Sequence, residues 1–482
     1  MTEPDPRRWQ VLALVCVAFF MTVLDVSIVT VALPSITRSL HLSQTNLQWV
    51  LTAYAISFGG FMLLGGRAAD VLGRRLMFVI GLALFSAMSL LCGLASSMAV
   101  LVSARAVQGL GAAIISPATL SIITTTFEEG MDRNKALGIW GAMGGAGAAA
   151  GVLFGGVLTK YLGWEWIFFV NVPVGALVLA ATPFRVRESR AQLATRRFDV
   201  FGATSVTAGL ALLVYGISEA PAVGWASGQT VGVLVGSLVL LAIFVIWEAR
   251  AEAPLMPLSI FRLRTLAGAN AVAVLLGAVV FANFFLLTLY VQDVLHYSAL
   301  RTGITFLATA GTTVVVAGIA QALTTRFGAR LVMAIGLLLL TGGMLFYAQI
   351  PVRGQYVANL LPGYLMVGFG LAMAFVAVSI AALAGVGARE AGLASGLLNT
   401  SQQIGGAVGV AVVSSVAVTH AKALLHTGHA PSAAFTAGYA LGFWVIAGVA
   451  LAGLALALFA IREVAEEPAS VTVEVPGATE RL

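Results

Sequence analysis

GRAADVLGRR, residues 66–75, sits where two apolar runs meet, 49–69 and 76–97. Arg67, Asp70, Arg74 and Arg75 put four charges into a stretch that is otherwise almost purely hydrophobic on both sides. About 20 apolar residues suffice to cross a ~30 Å hydrocarbon core as a helix. The segment therefore reads as a short charged turn between two membrane-spanning helices. The same alternation recurs along the chain, with spans at 11–33, 49–69, 76–97, 99–123, 136–158, 164–184, 200–218, 228–248, 266–290, 302–323, 329–349, 357–386, 394–419 and 436–461. That makes fourteen.

The composition agrees with this class. Of 482 residues, 60% are hydrophobic and 10% charged, and mean hydropathy is +0.99. A soluble chain of this length would need a charged shell that is missing here. The net charge of +6 would hint at nucleic acid in a soluble protein, but here the basic residues occupy loops. Cys16 and Cys92 both lie inside apolar spans, so no disulfide framework or cysteine metal site is expected. The first run is too long for a signal-peptide core and reads as a retained helix.

An even number of spans puts both termini on one side. Twenty Lys and Arg residues share that side, including Arg7, Arg8, Arg74, Arg75, Arg133, Lys135, Arg185, Arg326 and Arg330. Five lie opposite: Arg38, Lys160, Arg301, Arg353 and Lys422. The positive-inside rule then predicts cytoplasmic termini.

Two loops and two glycine-rich spans repeat. ALTTRFGAR (322–330) after span 10 is a weaker version of the loop after span 2. The glycine-rich span 5, GAMGGAGAAAGVLFGG (141–156), has a counterpart in span 13, SGLLNTSQQIGGAVG (395–409). Both pairs are eight spans apart, a pattern that points to parallel halves of a transporter. The expected architecture is all-α: a six-helix bundle over 1–184, a linker and two inserted helices over 185–265, a second six-helix bundle over 266–461, and a disordered tail over 462–482.

Within span 1, MTVLDVSIVTVALP (21–34) carries Asp25. A carboxylate at mid-membrane costs roughly 2.5–3.5 kcal/mol on insertion scales, so it needs a partner. Arg105 of span 4 is the candidate. Asp25 lies about nine residues and Arg105 about seven from the same end of their helices, depths of ~13 and ~10 Å at ~1.5 Å per residue. Burial disfavours a lone carboxylate and a guanidinium favours it. Such a pair can take up and release a proton as the surrounding structure changes.

These residues also carry a resemblance. Gly66-x3-Asp70-x2-Gly73-Arg74-Arg75 resembles the signature loop of the major facilitator superfamily. LVSARAVQGLGAA (101–113), with Arg105, Gln108 and Gly109, resembles that superfamily's fourth-helix motif. LDVSIVTVALP (24–34) and WEWIFFVNVPVG (164–175) resemble the fourteen-span drug/proton antiporter branch, the EmrB/QacA subfamily. Two positions depart from the pattern. Val71 stands where a basic residue usually follows the Asp, and Val152 where Pro usually follows Gly151.

The resemblance implies a major facilitator fold and a proton-coupled antiporter exporting amphipathic organic molecules by alternating access. Asp25, Arg105 and Gln108 would couple protons. Gly66, Asp70, Gly73, Arg74 and Arg75 would form a cytoplasmic latch, with Asp70 accepting from the start of span 13 beyond Arg389 and Glu390. Gly147, Gly151 and Gly155 recur every four residues, with Gly156 beside them, and would form a seam between the bundles. Tyr54, Trp140, Asn283, Phe375, Asn399 and Gln402 are the candidate cavity contacts. Export of a single endogenous metabolite or antibiotic uses the same residues. A receptor or integral enzyme would need a soluble domain or an acid/base/metal cluster, and neither is seen.

No G-x4-G-K-[ST] run argues for a nucleotide site, and Gly145-x-Gly147-x2-Ala150 lies inside a span rather than at a strand-to-helix turn. His420, His426 and His429 read as solvated loop residues. No cofactor and no nucleic-acid partner are expected. The partners are a small organic substrate, protons and membrane lipid, for a monomer in a bacterial cytoplasmic membrane.

Overall fold

In hydrocarbon, backbone groups must find their hydrogen bonds within the segment, so each apolar run becomes a helix. The computed structural model describes residues 7–461 except 42–43, 129–130, 191–197, 253, 257 and 385–390. Among the described residues, fourteen helices have the length and composition to cross a membrane. They are α1 (Arg8–Leu40), α2 (Trp49–Leu72), α3 (Arg74–Gly93), α4 (Met98–Thr126), α5 (Lys135–Tyr161), α6 (Trp166–Arg185), α7 (Val200–Val223), α8 (Gly228–Glu248), α9 (Arg264–Val294), α10 (Ala299–Phe327), α11 (Ala329–Tyr347), α12 (Tyr356–Leu383), α13 (Leu393–His426) and α14 (Pro431–Ala460). Each coincides with one apolar run. Several extend past it, because helical hydrogen bonding continues into polar flanks. The tail over 462–482 lies outside the described residues.

Local chemistry sets the helix starts. Ser97, Asp199, Ser227 and Ser298 each accept the backbone N–H three residues on, capping α4, α7, α8 and α10. Gly73 between α2 and α3 has φ +129°, and Gly328 between α10 and α11 has φ +83°. Only glycine adopts this region cheaply. The two related loops thus turn on a glycine at matching places.

The packing repeats as well. α1 packs on α4, α5 and α6, α2 on α4, and α3 on α4 and α6. Eight helices later α9 packs on α12, α13 and α14, α10 on α12, and α11 on α12 and α14. The two groups meet through α5 with α10 and α2 with α13, which are also images of each other under a shift of eight. α7 touches both groups, through α2 and α13, and α8 lies on α7. Large apolar side chains such as Phe459, Phe184 and Leu177 point outward, a surface that suits lipid rather than water.

The α5–α10 contact is uneven along its length. Toward the end away from the termini, a Cβ on Gly156 would lie 2.7 Å from the Ala299 carbonyl, and one on Gly303 would lie 2.6 Å from that of Val152. Nearby, Gln292 Nε2 donates to the Val31 carbonyl at 2.8 Å, tying α9 to α1. Eighteen residues make five helical turns, so Gly138 shares a face with Gly156. A Cβ on Gly138 would meet nothing within 4 Å. On this flank the groups close at the far end and part at the terminus-bearing end.

Candidate functional site

Asp25 and Arg105 meet in the interior of the first helix group, both 0% exposed. Arg105 Nη1 donates to Asp25 Oδ2 in a short, charge-assisted contact. Gln108, one turn beyond Arg105 on the same face of α4, serves both partners. Its Nε2 donates to Asp25 Oδ1 at 2.9 Å, and its Oε1 accepts from Arg105 Nη1 at 2.8 Å. Arg105 Nε donates to the Val50 carbonyl of α2 at 3.0 Å, and the guanidinium lies 4.3 Å from the Tyr54 ring centroid. A cation over an aromatic face gains roughly 2 kcal/mol or more when desolvated. Arg105 Nη2 has no hydrogen-bond partner.

Several members of this network lie outside the sequence-based candidates. Asn171 of α6 donates through Nδ2 to Asp25 Oδ1 at 3.1 Å and to Ser89 Oγ at 3.0 Å. Ser89 in turn donates to the Phe168 carbonyl at 2.9 Å. Cys92 Sγ lies 3.6 Å from Gln108 Oε1. Asn171 stands within WEWIFFVNVPVG, so its motif was visible in the sequence while its link to Asp25 was not. Tyr54 belongs to the Arg105 surroundings and is 1% exposed. That corrects its placement on a substrate cavity wall, since the cation above its ring and the packed helices around it leave no open face.

The glycine stripe also needs correction. Gly147, Gly151 and Gly155 face α1, within the same helix group. A Cβ on Gly151 would lie 2.7 Å from the Leu24 carbonyl, and one on Gly155 would lie 2.8 Å from that of Ile28. Ser27 Oγ donates to the Gly147 carbonyl at 3.4 Å. The stripe thus clamps the part of α1 that carries Asp25. Gly156 does reach the other group, through Ala299 and Leu300. One residue turns the face by about 100° on a helix of 3.6 residues per turn, enough to change neighbours.

At the 66–75 loop, Asp70 Oδ1 accepts from Arg74 Nη2 at 3.1 Å and from Ser121 Oγ of α4 at 3.4 Å. These partners lie in its own helix group, unlike the expected one at the start of α13. Arg389 and Glu390, which would precede that start, lie outside the described residues. The acid that meets a helix N-terminus here is Glu188, beyond α6. It accepts the backbone N–H of Arg75 at 3.1 Å and of Leu76 at 3.0 Å, complementing the start of α3. Arg74 N–H donates to the Ser189 carbonyl at 3.0 Å, and a Cβ on Gly73 would lie 2.6 Å from Glu188 Oε1. The segment after α6 is therefore docked on this loop. Glu188→Ala should cost about 1 kcal/mol of that docking, making tryptic cleavage at Arg187 and Arg190 about fivefold faster. Unchanged cleavage would mean that the carboxylate does not hold the segment.

The remaining cavity candidates are dispersed. Trp140 stacks on Phe19 with centroids 4.2 Å apart and donates from Nε1 to Thr119 Oγ1 at 3.1 Å. Phe375 is 44% exposed on α12. Asn399 Nδ2 bonds locally to the Ser395 carbonyl at 3.0 Å. Asn283 Oδ1 and Gln402 Nε2 are buried without partners. Metal ligation has no footing among the described residues, where no group of three His, Cys, Asp or Glu side chains could hold an ion.

A sequence profile described as Major Facilitator Superfamily matches residues 15–410. The chain is 38% identical over 481 residues to the puromycin resistance protein pur8 of Streptomyces alboniger, covering 98% of this chain and 95% of that one. It is 37% identical over 421 residues to the multidrug resistance protein Stp of Mycobacterium tuberculosis, covering 87% and 78%. In fold it is similar to a crystal structure of a bacterial homologue of the human lysosomal transporter Spinster, in an inward-facing and occupied conformation. The TM-score there is 0.70 at 16% identity, with 95% of this chain and 98% of that chain covered.

Proposed function

The chain belongs to the major facilitator superfamily, and from that premise we propose that it is a proton-coupled antiporter exporting amphipathic organic molecules. The observation that carries this reading is the fully buried Asp25–Arg105–Gln108–Asn171 network inside a multi-pass chain similar to resistance proteins.

Protonation of Asp25 Oδ2 removes the charge that holds Arg105. The guanidinium then keeps Gln108 Oε1, the Val50 carbonyl and the Tyr54 ring as partners. It can therefore stay buried while Asp25 is neutral, and the bonds between α1 and α4 weaken only when the proton is bound. Because Gly147, Gly151 and Gly155 lock α1 to α5, that change is carried to the helix that meets α10. Proton binding is thereby linked to the way the two halves rock about a central cavity. The driving force is about 2.3 kcal/mol per charge per 100 mV, plus about 1.4 kcal/mol per pH unit.

The halves are assigned to residues 1–184 and 266–461, with 185–265 as linker and inserted helices; the repeated packing supports this division. The twenty-to-five distribution of basic residues puts the termini in the cytoplasm, so the parted end faces inward. The 66–75 loop acts as a latch that works through Arg74, Ser121 and Glu188. A single deep carboxylate already paired to arginine favours neutral or weakly charged substrates. The protein works as a monomer.

Reconstitution into liposomes with an imposed pH gradient tests the proposal. Puromycin is the first probe, because of the name of one relative, followed by a panel of unrelated amphipathic drugs. Gradient-driven puromycin accumulation with opposite proton movement is the expected result. Flux of puromycin alone would favour a single-substrate exporter. Substrate movement indifferent to the gradient would overturn proton coupling.

A further inference from the structure

α7 and α8 carry two acids that the Asp25 network does not use. Asp199 begins α7, and its Oδ1 accepts the Gly202 N–H at 2.7 Å and the indole Nε1–H of Trp247 at 2.8 Å. Glu248 ends α8. Its Oε1 and Oε2 accept the backbone N–H groups of Leu255 and Met256 at 3.3 and 3.4 Å. Both side chains are enclosed, with Asp199 7% and Glu248 3% exposed.

The two carboxyls lie within hydrogen-bonding reach of each other, and Asp199 Oδ2 is buried with no donor. Ionised carboxylates only accept hydrogen bonds. Two of them in one enclosed site cannot both carry charge without strong repulsion. No ion pair to either acid occurs among the described residues, and Asp199 is the only ionised group whose field acts on Glu248 there. Arg250 and Glu252 follow Glu248 on the next segment. Arg196 and Arg197, which precede Asp199, lie outside the described residues.

We propose that Asp199 and Glu248 form a second proton-binding site, in which one proton is held between the two carboxyls, separate from the Asp25 network. The proton comes from water at the terminus-bearing end and returns there. With it in place, one carboxyl donates an O–H to the other, a short charge-assisted bond that closes the start of α7 onto the end of α8. Without it, two like charges face each other. The clasp is therefore present at low pH and lost as pH rises through the upper apparent pKa of the pair, a value that belongs to both acids together. Because α7 touches both helix groups, opening the clasp reaches each of them. This site stands whether or not the protein exports drugs.

Infrared difference spectra of the full-length protein in lipid, between acidic and alkaline buffer, read the carbonyl stretch of un-ionised carboxyl groups. A pH-sensitive band should persist in Asp25→Asn and disappear from both Asp199→Asn and Glu248→Gln. In those two the amide keeps the shape and donates an N–H to the remaining carboxylate. Trp247 emission, isolated as the difference between wild type and Trp247→Phe, should follow the same pH transition in wild type and stay flat in Glu248→Gln. A band that survives Glu248→Gln unchanged, or Trp247 emission indifferent to pH in wild type, would overturn the shared proton.

Discussion

Asp25→Asn should abolish proton release on substrate addition and reduce gradient-driven export to the level of empty liposomes. Asparagine keeps an oxygen for Gln108 Nε2 and Asn171 Nδ2, both of which bond Asp25 Oδ1 in the native protein. It cannot neutralise Arg105, which stays charged because guanidinium does not deprotonate in proteins. Removing one partner of a buried ion pair costs about 3–5 kcal/mol, so the variant should insert and fold but unfold at lower temperature. Arg105→Gln should be milder, because the Asp25 left behind can bind a proton. The double variant Asp25→Asn/Arg105→Gln should recover much of the stability lost in Asp25→Asn, the non-additivity expected of residues in contact. It should recover no coupled transport. Thermal unfolding in detergent and proton release in liposomes separate the two effects. Wild-type proton release from Asp25→Asn would remove this carboxyl from the mechanism.

The second large effect is expected at Gly303. Its position against Val152 and Gly156 holds α10 to α5 at the end away from the termini. A valine there overpacks a contact that exists when the terminus-bearing end is open. Overpacking costs typically 1–3 kcal/mol. Applied to one of two conformations, that shifts their ratio by about 5–150-fold. Gly303→Val should therefore populate the state closed at the terminus-bearing end and slow transport by a similar factor. Spin labels at Ile139→Cys and Ile319→Cys, both on exposed side chains, would report shorter distances. Gly311→Val is the control, since its Cβ position has nothing within 4 Å. Equal distance distributions in Gly303→Val and wild type would mean that this contact does not select the conformation.

Much of the site could be read from single residues. Asp25 and Arg105 stand out because an ionised group in an apolar run is costly wherever it points. Arg74 as the partner of Asp70 was also legible, since residues four apart face each other on a helix. Asn171, Ser89 and the Val50 carbonyl were not legible. A neutral polar group in a span carries no comparable energetic signature, and Asn171 reaches Asp25 across 146 positions of chain. Glu188 and Leu76, 112 positions apart, were hidden for the same reason.

Hydrophobicity, charge and glycine spacing act along the chain, so the sequence by itself determined fourteen helices, their order, the shift of eight between halves, and the need for a buried counter-charge. Which neighbour each face meets depends on how rods of fixed period rotate against one another when packed. Only the tertiary structure decided that Gly147, Gly151 and Gly155 hold α1 while Gly156 meets α10. It likewise decided that Asp70 is satisfied within its own half and that two acids from either end of an inserted helix pair come together. A rotation of about 100° per residue exchanges one partner helix for another, and no local pattern sets that angle.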